Sequence, residues 1–202
     1  MEIGKVLRAS TQGFTCGTRS AEISGPSFGA FVLTRDIDSA QNNFLVGVIT
    51  AIRIDDDPLV RQLIMASDMN PMALRDQREN RMVPVEIDVL NVGFVHNDKP
   101  IHTLPPRPPM SLDSVSLCSA EQIAFFTDPD QNPDLPFIRL ILNATGVPNT
   151  IELLAAVIQH ASAAHKPETR ENFKILAGRR IAQLLSNDPI ALQYILTLIQ
   201  FA

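Results

Sequence analysis

The sequence predicts an α+β protein in which a small antiparallel β-barrel is followed by an α-helical domain. Three observations carry this prediction. Over roughly the first 95 residues, β-branched and aromatic residues alternate along segments that glycines separate. A proline-rich stretch, Leu104 to Pro109, comes next. From about residue 135 to the end, apolar residues recur at helical spacing.

The N-terminal segments have the pattern of barrel strands. In the fourth of them, Val48, Thr50 and Ile52 alternate with a second set of side chains, which predicts one fully apolar face. Glycines recur between the segments, where a closed barrel requires tight turns or bulges. The predicted strands are Ile3 to Ala9, Gly13 to Gly17, Gly29 to Thr34, Asn43 to Ile54, and Val83 to Val95.

The hydrophobic period changes between the fourth and fifth of these strands. Asp57-Pro58 is typical of a helix start, and apolar residues follow at helical spacing, so we predict a helical insertion near residues 58 to 82. Arg75, Arg78 and Arg81 are spaced three residues apart within it. This row indicates either a solvated helix face with local ion pairs or a contact with an anionic partner or with the carboxylates of a neighbouring subunit.

The segment Leu104-Pro-Pro-Arg-Pro-Pro109 must be extended, because each proline fixes its own φ and disfavours helix at the residue before it. It is typical of a stiff strap across the barrel surface. The alternative is a polyproline ligand for an aromatic-lined groove. Arg107, in the middle of the segment, is a fourth candidate anion contact.

Helical signals dominate after the strap. Ser119 and Gln122 form a capping box that opens a short helix through Phe126. Residues 128 to 134 are rich in Asp and Pro, so we predict a linker between a barrel domain, 1 to 127, and a helical domain, 135 to 202. Four further helices are predicted: Pro136 to Asn143, one capped by Asn149 and Glu152, Pro167 to Leu185, and one that starts at Pro189.

The last helix is apolar around most of its circumference. Ten of the 13 residues from Ile190 to Ala202 are apolar or aromatic. Such a helix is buried inside its own domain or against another chain. One stripe of this helix is expected to pack on the preceding helices. The residues outside that stripe are predicted to form an interface, either with a protein partner or with a second copy in a homo-oligomer. These residues are Ile190, Tyr194, Leu198 and Phe201.

Composition and motifs argue against several function classes. The 22 acidic residues outnumber the 17 basic ones, and the pI is near 5.3, which argues against nucleic acid as a direct ligand. Phosphate-loop, dinucleotide and nucleophile-elbow motifs are absent from the sequence, so we predict no catalytic residue, metal or cofactor. Cys16 and Cys118 belong to no CxxC motif and are predicted to be free buried thiols. The four histidines are predicted to lie on the surface or near helix caps.

The chain is predicted to be soluble and cytoplasmic. It begins directly with strand-like sequence instead of the basic start and long apolar run of a signal peptide. The apolar run at its end, Pro189 to Phe201, is 13 residues long, whereas roughly 20 residues are needed to span a bilayer. We therefore expect no contact with a membrane.

The first 125 residues or so resemble the HAS-barrel family, the β-barrel of HerA-type ATPases and ATP synthase subunits. The resemblance is carried by Gly4-Lys-Val6, Gly29-Ala-Phe-Val32, Val46-Gly-Val-Ile-Thr-Ala-Ile52 and the fifth strand with its proline-rich exit, in that order. It implies a barrel used for subunit contacts and partner docking, linked to a HerA-like DNA-processing system. In that family the ATP chemistry lies in a following RecA-like domain. Here about 70 helical residues follow instead, so ATP hydrolysis is not carried over.

Two function classes remain. The first is a non-enzymatic β-barrel assembly or adaptor module that oligomerises or docks a protein partner. The second is a small-ligand-binding protein or an enzyme that uses the barrel mouth. In the second class the candidate anion contacts are the four arginines Arg75, Arg78, Arg81 and Arg107.

Overall fold

A computed structural model of the chain describes residues 1–19, 25–35, 43–54, 84–128, 130 and 132–200. The helical insertion predicted near residues 58 to 82 lies outside the described residues.

Seven strands form one antiparallel sheet, and six of them close into a barrel. The closed order is β1, β7, β3, β4, β5, β2 and back to β1, while β6 pairs with β5 outside the closed ring. The predicted fold class, an N-terminal barrel followed by helices, is confirmed. The strands are β1 (Glu2–Ala9), β2 (Gly13–Arg19), β3 (Phe31–Arg35), β4 (Phe44–Ile54), β5 (Pro84–His96), β6 (Lys99–Ile101) and β7 (Ser114–Leu117).

The barrel is closed by a strand that the sequence pattern did not predict. We expected the strand starting at Val83 to end the barrel, but β7 follows the strap and pairs with β1 on one edge and β3 on the other. It has four residues, Ser-Val-Ser-Leu, and only Val115 is fully buried. So short a segment offers one apolar alternation, which is too little for a periodic signal.

A β-bulge at Gly93 shapes the barrel wall under the first helix. The pairing of β4 with β5 passes from Gly47–Asn91 to Val46–Gly93, which leaves Val92 as an extra residue. Gly93 has φ +153°, and a Cβ there would lie 2.9 Å from Cζ of Phe126. Glycine therefore allows the Phe126 ring to pack directly on the strand.

Five helices follow the barrel. The predicted capping box is confirmed, since the Ser119 hydroxyl accepts from the Gln122 N–H at 3.3 Å and the Gln122 side chain accepts from the Ser119 N–H at 2.8 Å. Asn149 is the N-cap residue of the third helix, but its side chain makes no capping bond, so that predicted cap was wrong. The helices are α1 (Ala120–Phe126), α2 (Pro136–Leu142), α3 (Thr150–Ala164), α4 (Pro167–Leu184) and α5 (Pro189–Gln200).

Two hydrophobic cores lie on opposite faces of the barrel wall. Neighbouring residues of β4 belong to different cores: Ile49 to the core inside the barrel and Val48 to the core under the helices. The core under the helices, which we call the shared core, joins β3, β4 and β5 to all five helices. It includes Phe31, Val46, Val48, Val92, Phe126, Phe137, Leu154, Phe173 and Ile195. Full burial of each large apolar side chain contributes about 1.5–3 kcal/mol. Separate folding of residues 1–127 and 135–202 stays a prediction.

Within the described ranges, every helix is too short or too polar to cross a membrane.

Candidate functional site

The outer face of α5 is a helix surface with exposed apolar residues that the packing leaves open. It consists of Ile190, Gln193, Tyr194, Leu196 and Thr197, which share about half of the helix circumference at 100° per residue. Ile190 is 82% exposed, Tyr194 46% and Leu196 36%. Exposed apolar residues grouped in this way are typical of contact surfaces.

The opposite face of α5 packs on the protein. Ile195 is fully buried, and Leu192, Leu198 and Ile199 pack partly against the shared core. The backbone carbonyl of Leu198 also accepts a hydrogen bond from Nε2 of Gln159 on α3, at 3.0 Å. Leu198, a predicted interface residue, therefore lies at the edge between the packed and open faces. Phe201, another, lies outside the described residues.

Polar contacts fix the orientation of the Tyr194 ring. Its hydroxyl donates to Oε1 of Glu152 on α3 at 3.1 Å. This hydrogen bond, with the negative charge of Glu152, raises the pKa of Tyr194. Residues 189 to 200 contain no Asp, Glu, Lys or Arg, so the outer face of α5 is uncharged.

The proline-rich strap forms one wall of a groove that we call the strap groove. It has a volume of about 400 Å³, and its other wall is the ends of β3, β4 and β5. Phe44, Phe94 and Pro106 give it apolar sides, and Arg107 lies in its wall. The three other candidate anion contacts, Arg75, Arg78 and Arg81, lie outside the described residues.

Hydrogen bonds attach the strap to the barrel. The Asp113 carboxylate accepts from the Met110 N–H at 2.8 Å, and its backbone carbonyl accepts from the Val6 N–H at 2.9 Å. The Leu112 N–H donates to the Val6 carbonyl in turn. Thr34 in the groove wall is buried, and its hydroxyl has no hydrogen-bond partner among the described residues. These contacts fit the interpretation of the proline-rich segment as a strap across the barrel. The Thr34 hydroxyl leaves an unsatisfied polar group in the groove wall.

Two histidines, His102 and His165, are buried. The expectation of a surface or cap position was wrong for His102, whereas His165 is the C-cap residue of α3 and so lies at a helix cap as expected. Nε2 of His102 lies 2.8 Å from the Phe126 carbonyl oxygen, and Nε2 of His165 lies 3.0 Å from the Thr127 hydroxyl. Each ring also packs on an aromatic ring, His102 on Phe126 and His165 on Phe173, with centroids 4.5 Å apart in both pairs. The sequence signal is weak, because each histidine directly follows a regular element in a segment rich in small or polar residues.

Both buried imidazoles are held in the neutral form. Burial lowers the pKa of His102, and the hydrogen bond with the Phe126 carbonyl raises it by a smaller amount. Burial also lowers the pKa of His165, where Asp128 acts to raise it and Arg170 to lower it. The Phe126 carbonyl can only accept, so the neutral ring of His102 carries its proton on Nε2.

A charged network covers part of the barrel wall at β1, β4 and β5. Arg53 lies 2.6 Å from Asp88, and Arg8 lies 2.9 Å from Glu86. The Thr15 hydroxyl also donates to Asp88, at 2.7 Å. Because both arginines are at least half exposed, such pairs contribute little to stability. The network satisfies its own charges and offers no free acid or base.

The two cysteines are free, as predicted, although Cys118 is only half-buried. Burial raises the pKa of each thiol to about 12. Neither is a nucleophile at neutral pH, because the thiolate is the reactive form. Among the residues described, no three His, Cys, Asp or Glu side chains come together as a metal site would require.

These features define the class of the protein: a closed six-stranded antiparallel barrel whose outer wall packs against five helices, with an open apolar face on the last helix. No protein-family model matches the chain, and no curated protein matches it significantly.

Proposed function

We propose that this chain is a non-enzymatic assembly module that binds a second copy of itself through the outer face of α5. The observation that carries the proposal is the exposure of Ile190, Tyr194 and Leu196 on a helix whose other face packs on the shared core. Burying these side chains removes apolar surface from water, which drives association.

The absence of charge on α5 favours a second copy as the partner. In a two-fold contact each residue meets the same surface of the other subunit, so any charge near the axis would face a like charge. Residues 189 to 200 carry none, so the like charges of self-contact are limited to the Glu152 carboxylate that holds the Tyr194 hydroxyl. A partner selected by charge would find no complementary group on this helix.

The size of the surface sets a further condition. The 12 residues of α5 extend over about 18 Å at 1.5 Å per residue, whereas a standard interface buries about 800 Å² on each partner. One helix face is too small for this area, so the contact must include neighbouring residues.

The resemblance to the HAS barrel supports the same class of function. Barrels of that family serve subunit contacts and docking, and the proposed link to a HerA-like DNA-processing system rests on this resemblance alone. The proposal assigns no catalytic step to the chain.

Light scattering on a gel-filtration column tests the proposal. The wild-type chain should have the mass of a dimer or a larger closed oligomer, and Ile190→Glu should shift it to the monomer, since a buried unpaired charge is costly. Ile190 is a better site than Leu198, because it is 82% exposed and a charge there leaves the fold intact.

Met110→Glu is the matched control. Met110 is 71% exposed and lies on the strap, so the same charge is added to the barrel side of the molecule. It should leave the oligomer unchanged. A monomeric wild-type chain would reject self-association and leave a different protein as the partner of α5.

The strap groove supports a second candidate function, the binding of a small ligand. Its apolar walls, the unpartnered Thr34 hydroxyl and Arg107 suit an aromatic carboxylate. Calorimetry with benzoate should show binding that Arg107→Gln weakens. Equal affinity in the wild type and the variant would exclude Arg107 as the anion contact.

A further inference from the structure

A second cleft, which we call the junction cleft, lies where the barrel meets α2. It has a volume of about 410 Å³ and is walled by β5, by the residues that follow β6, and by α2 with the turn after it. Cavities of about 300–1,000 Å³ are typical of small-molecule sites. Two of its wall residues, Asn91 and His102, are buried polar side chains.

Asn91 has one satisfied and one unsatisfied end. Its side-chain Nδ2 donates to the Thr11 carbonyl at 3.0 Å and to the Ser10 carbonyl at 3.4 Å, which fixes the orientation of the amide. Its Oδ1 is buried without a hydrogen-bond partner among the described residues. The free atom is an acceptor.

His102 presents a second acceptor. Its Nε2–H donates to the Phe126 carbonyl, so in the neutral ring Nδ1 keeps its lone pair. Nδ1 is also buried without a partner within the described part of the chain. Two unpartnered acceptors in the wall of one cleft are uncommon, because buried polar atoms in proteins are almost always hydrogen-bonded.

The charges of the cleft restrict what can supply the missing donors. Arg139 lies in its wall, and none of the described wall residues is Asp or Glu. A ligand that is only a cation would meet Arg139 without a counter-charge. A ligand that is only an anion could pair with Arg139 but would leave both acceptors unsatisfied.

We propose that the junction cleft binds a small carboxylate that also carries N–H or O–H donors, such as an α-amino or α-hydroxy acid. Its donors bond to Oδ1 of Asn91 and Nδ1 of His102, and its carboxylate pairs with Arg139. Both acceptor atoms are almost wholly covered, so binding includes a shift of the wall. Leu104 is an exposed apolar residue of that wall.

Calorimetry at pH 7.5 with four small probes tests the proposal. Glycine and L-lactate carry both a carboxylate and a donor, acetate lacks the donor, and ethanolamine lacks the carboxylate. Glycine or L-lactate should bind with a Kd below about 5 mM, and acetate and ethanolamine should bind at least about tenfold more weakly.

The variants Arg139→Gln and Arg179→Gln make a matched pair for the probe that binds. Both arginines are exposed on helices, but only Arg139 lies in the cleft wall, so both variants should fold. Arg139→Gln should weaken binding by at least about tenfold and Arg179→Gln should not change it. If neither glycine nor L-lactate binds below about 5 mM, or if acetate binds as tightly as they do, the acceptors hold ordered water only and the proposal is wrong.

Discussion

Gly29→Ala tests the packing of the barrel against the helices at a single atom. Gly29 precedes β3 and has φ +78°, a left-handed conformation that alanine adopts only with strain. A Cβ at this position would lie 2.6 Å from Cβ of Ala156 and 3.0 Å from its carbonyl carbon, both on α3. The new methyl group would therefore press on the helix backbone, which cannot rotate away as a flexible side chain would.

The expected loss of stability has two parts. The left-handed conformation costs about 1–2 kcal/mol for a residue with a Cβ. Overpacking against α3 adds about 1–3 kcal/mol. The sum is a large fraction of the 5–15 kcal/mol or so that is typical of a whole domain.

Gly146→Ala separates these two parts. Gly146 has the same φ, +78°, but a Cβ there would meet no atom within 4 Å. In urea unfolding monitored by circular dichroism, Gly146→Ala should therefore lose only the free energy that the left-handed conformation costs. The difference in free energy of unfolding between the two variants measures the contact with α3. Equal losses in the two variants would refute the packing of this loop on α3.

Three further predictions follow from the buried groups. The neutral forms of His102 and His165 should stabilise the fold fully above their unfolded pKa of 6.5. In a pH series of thermal unfolding, the Tm should fall as the pH drops below 6.5, because the unfolded chain then binds protons that the folded chain excludes. A flat Tm from pH 7 to pH 5 would contradict this. The thiol of Cys16, which is buried and has a pKa of about 12, should react with a disulfide reagent at pH 8 only in urea, and rapid labelling of Cys16 in the folded protein would argue against its burial. Phe126→Ala should cost about 3–5 kcal/mol in urea unfolding, since the ring packs between the barrel and the helices, and a loss below about 1 kcal/mol would mean that this contact is dispensable.

The long strands could be predicted from sequence because their signal is local. Alternation along Phe44–Ile54 and Pro84–His96 repeats often enough to indicate two faces, and the structure gives both strands nearly the predicted bounds. Closure of the barrel could not be predicted, since it depends on Ser114–Leu117 pairing with strands more than 80 residues earlier. Contacts so distant in the chain leave no periodic trace.

The candidate surface on α5 could likewise be predicted from the sequence only in part. The sequence indicates that this helix is apolar on more sides than a small domain can cover, but it does not set the rotation of the helix. We placed Leu198 on the open side, whereas it packs partly on the core, and Leu196, which the predicted interface did not include, is 36% exposed. Gln159 and Glu152 on α3 hold the helix in this orientation through the Leu198 carbonyl and the Tyr194 hydroxyl. The junction cleft could not be predicted at all, because Asn91 and His102 become a pair of acceptors only through folding.

The position of the helices also decides which part of the barrel is open to a partner. The outer face of β3, β4 and β5 that carries Phe31, Val46 and Val48 is covered by the helical part, so it cannot serve the docking role that the HAS-barrel resemblance implies. Another part of the wall carries the charged network, with ion pairs such as that between Arg8 on β1 and Glu86 on β5, which a partner would have to strip of water. The outer face of α5 carries no charged side chain of its own, and its apolar residues Ile190 and Leu196 are unfavourable in water. We therefore propose that assembly takes place at the helical end of the molecule instead of on the barrel.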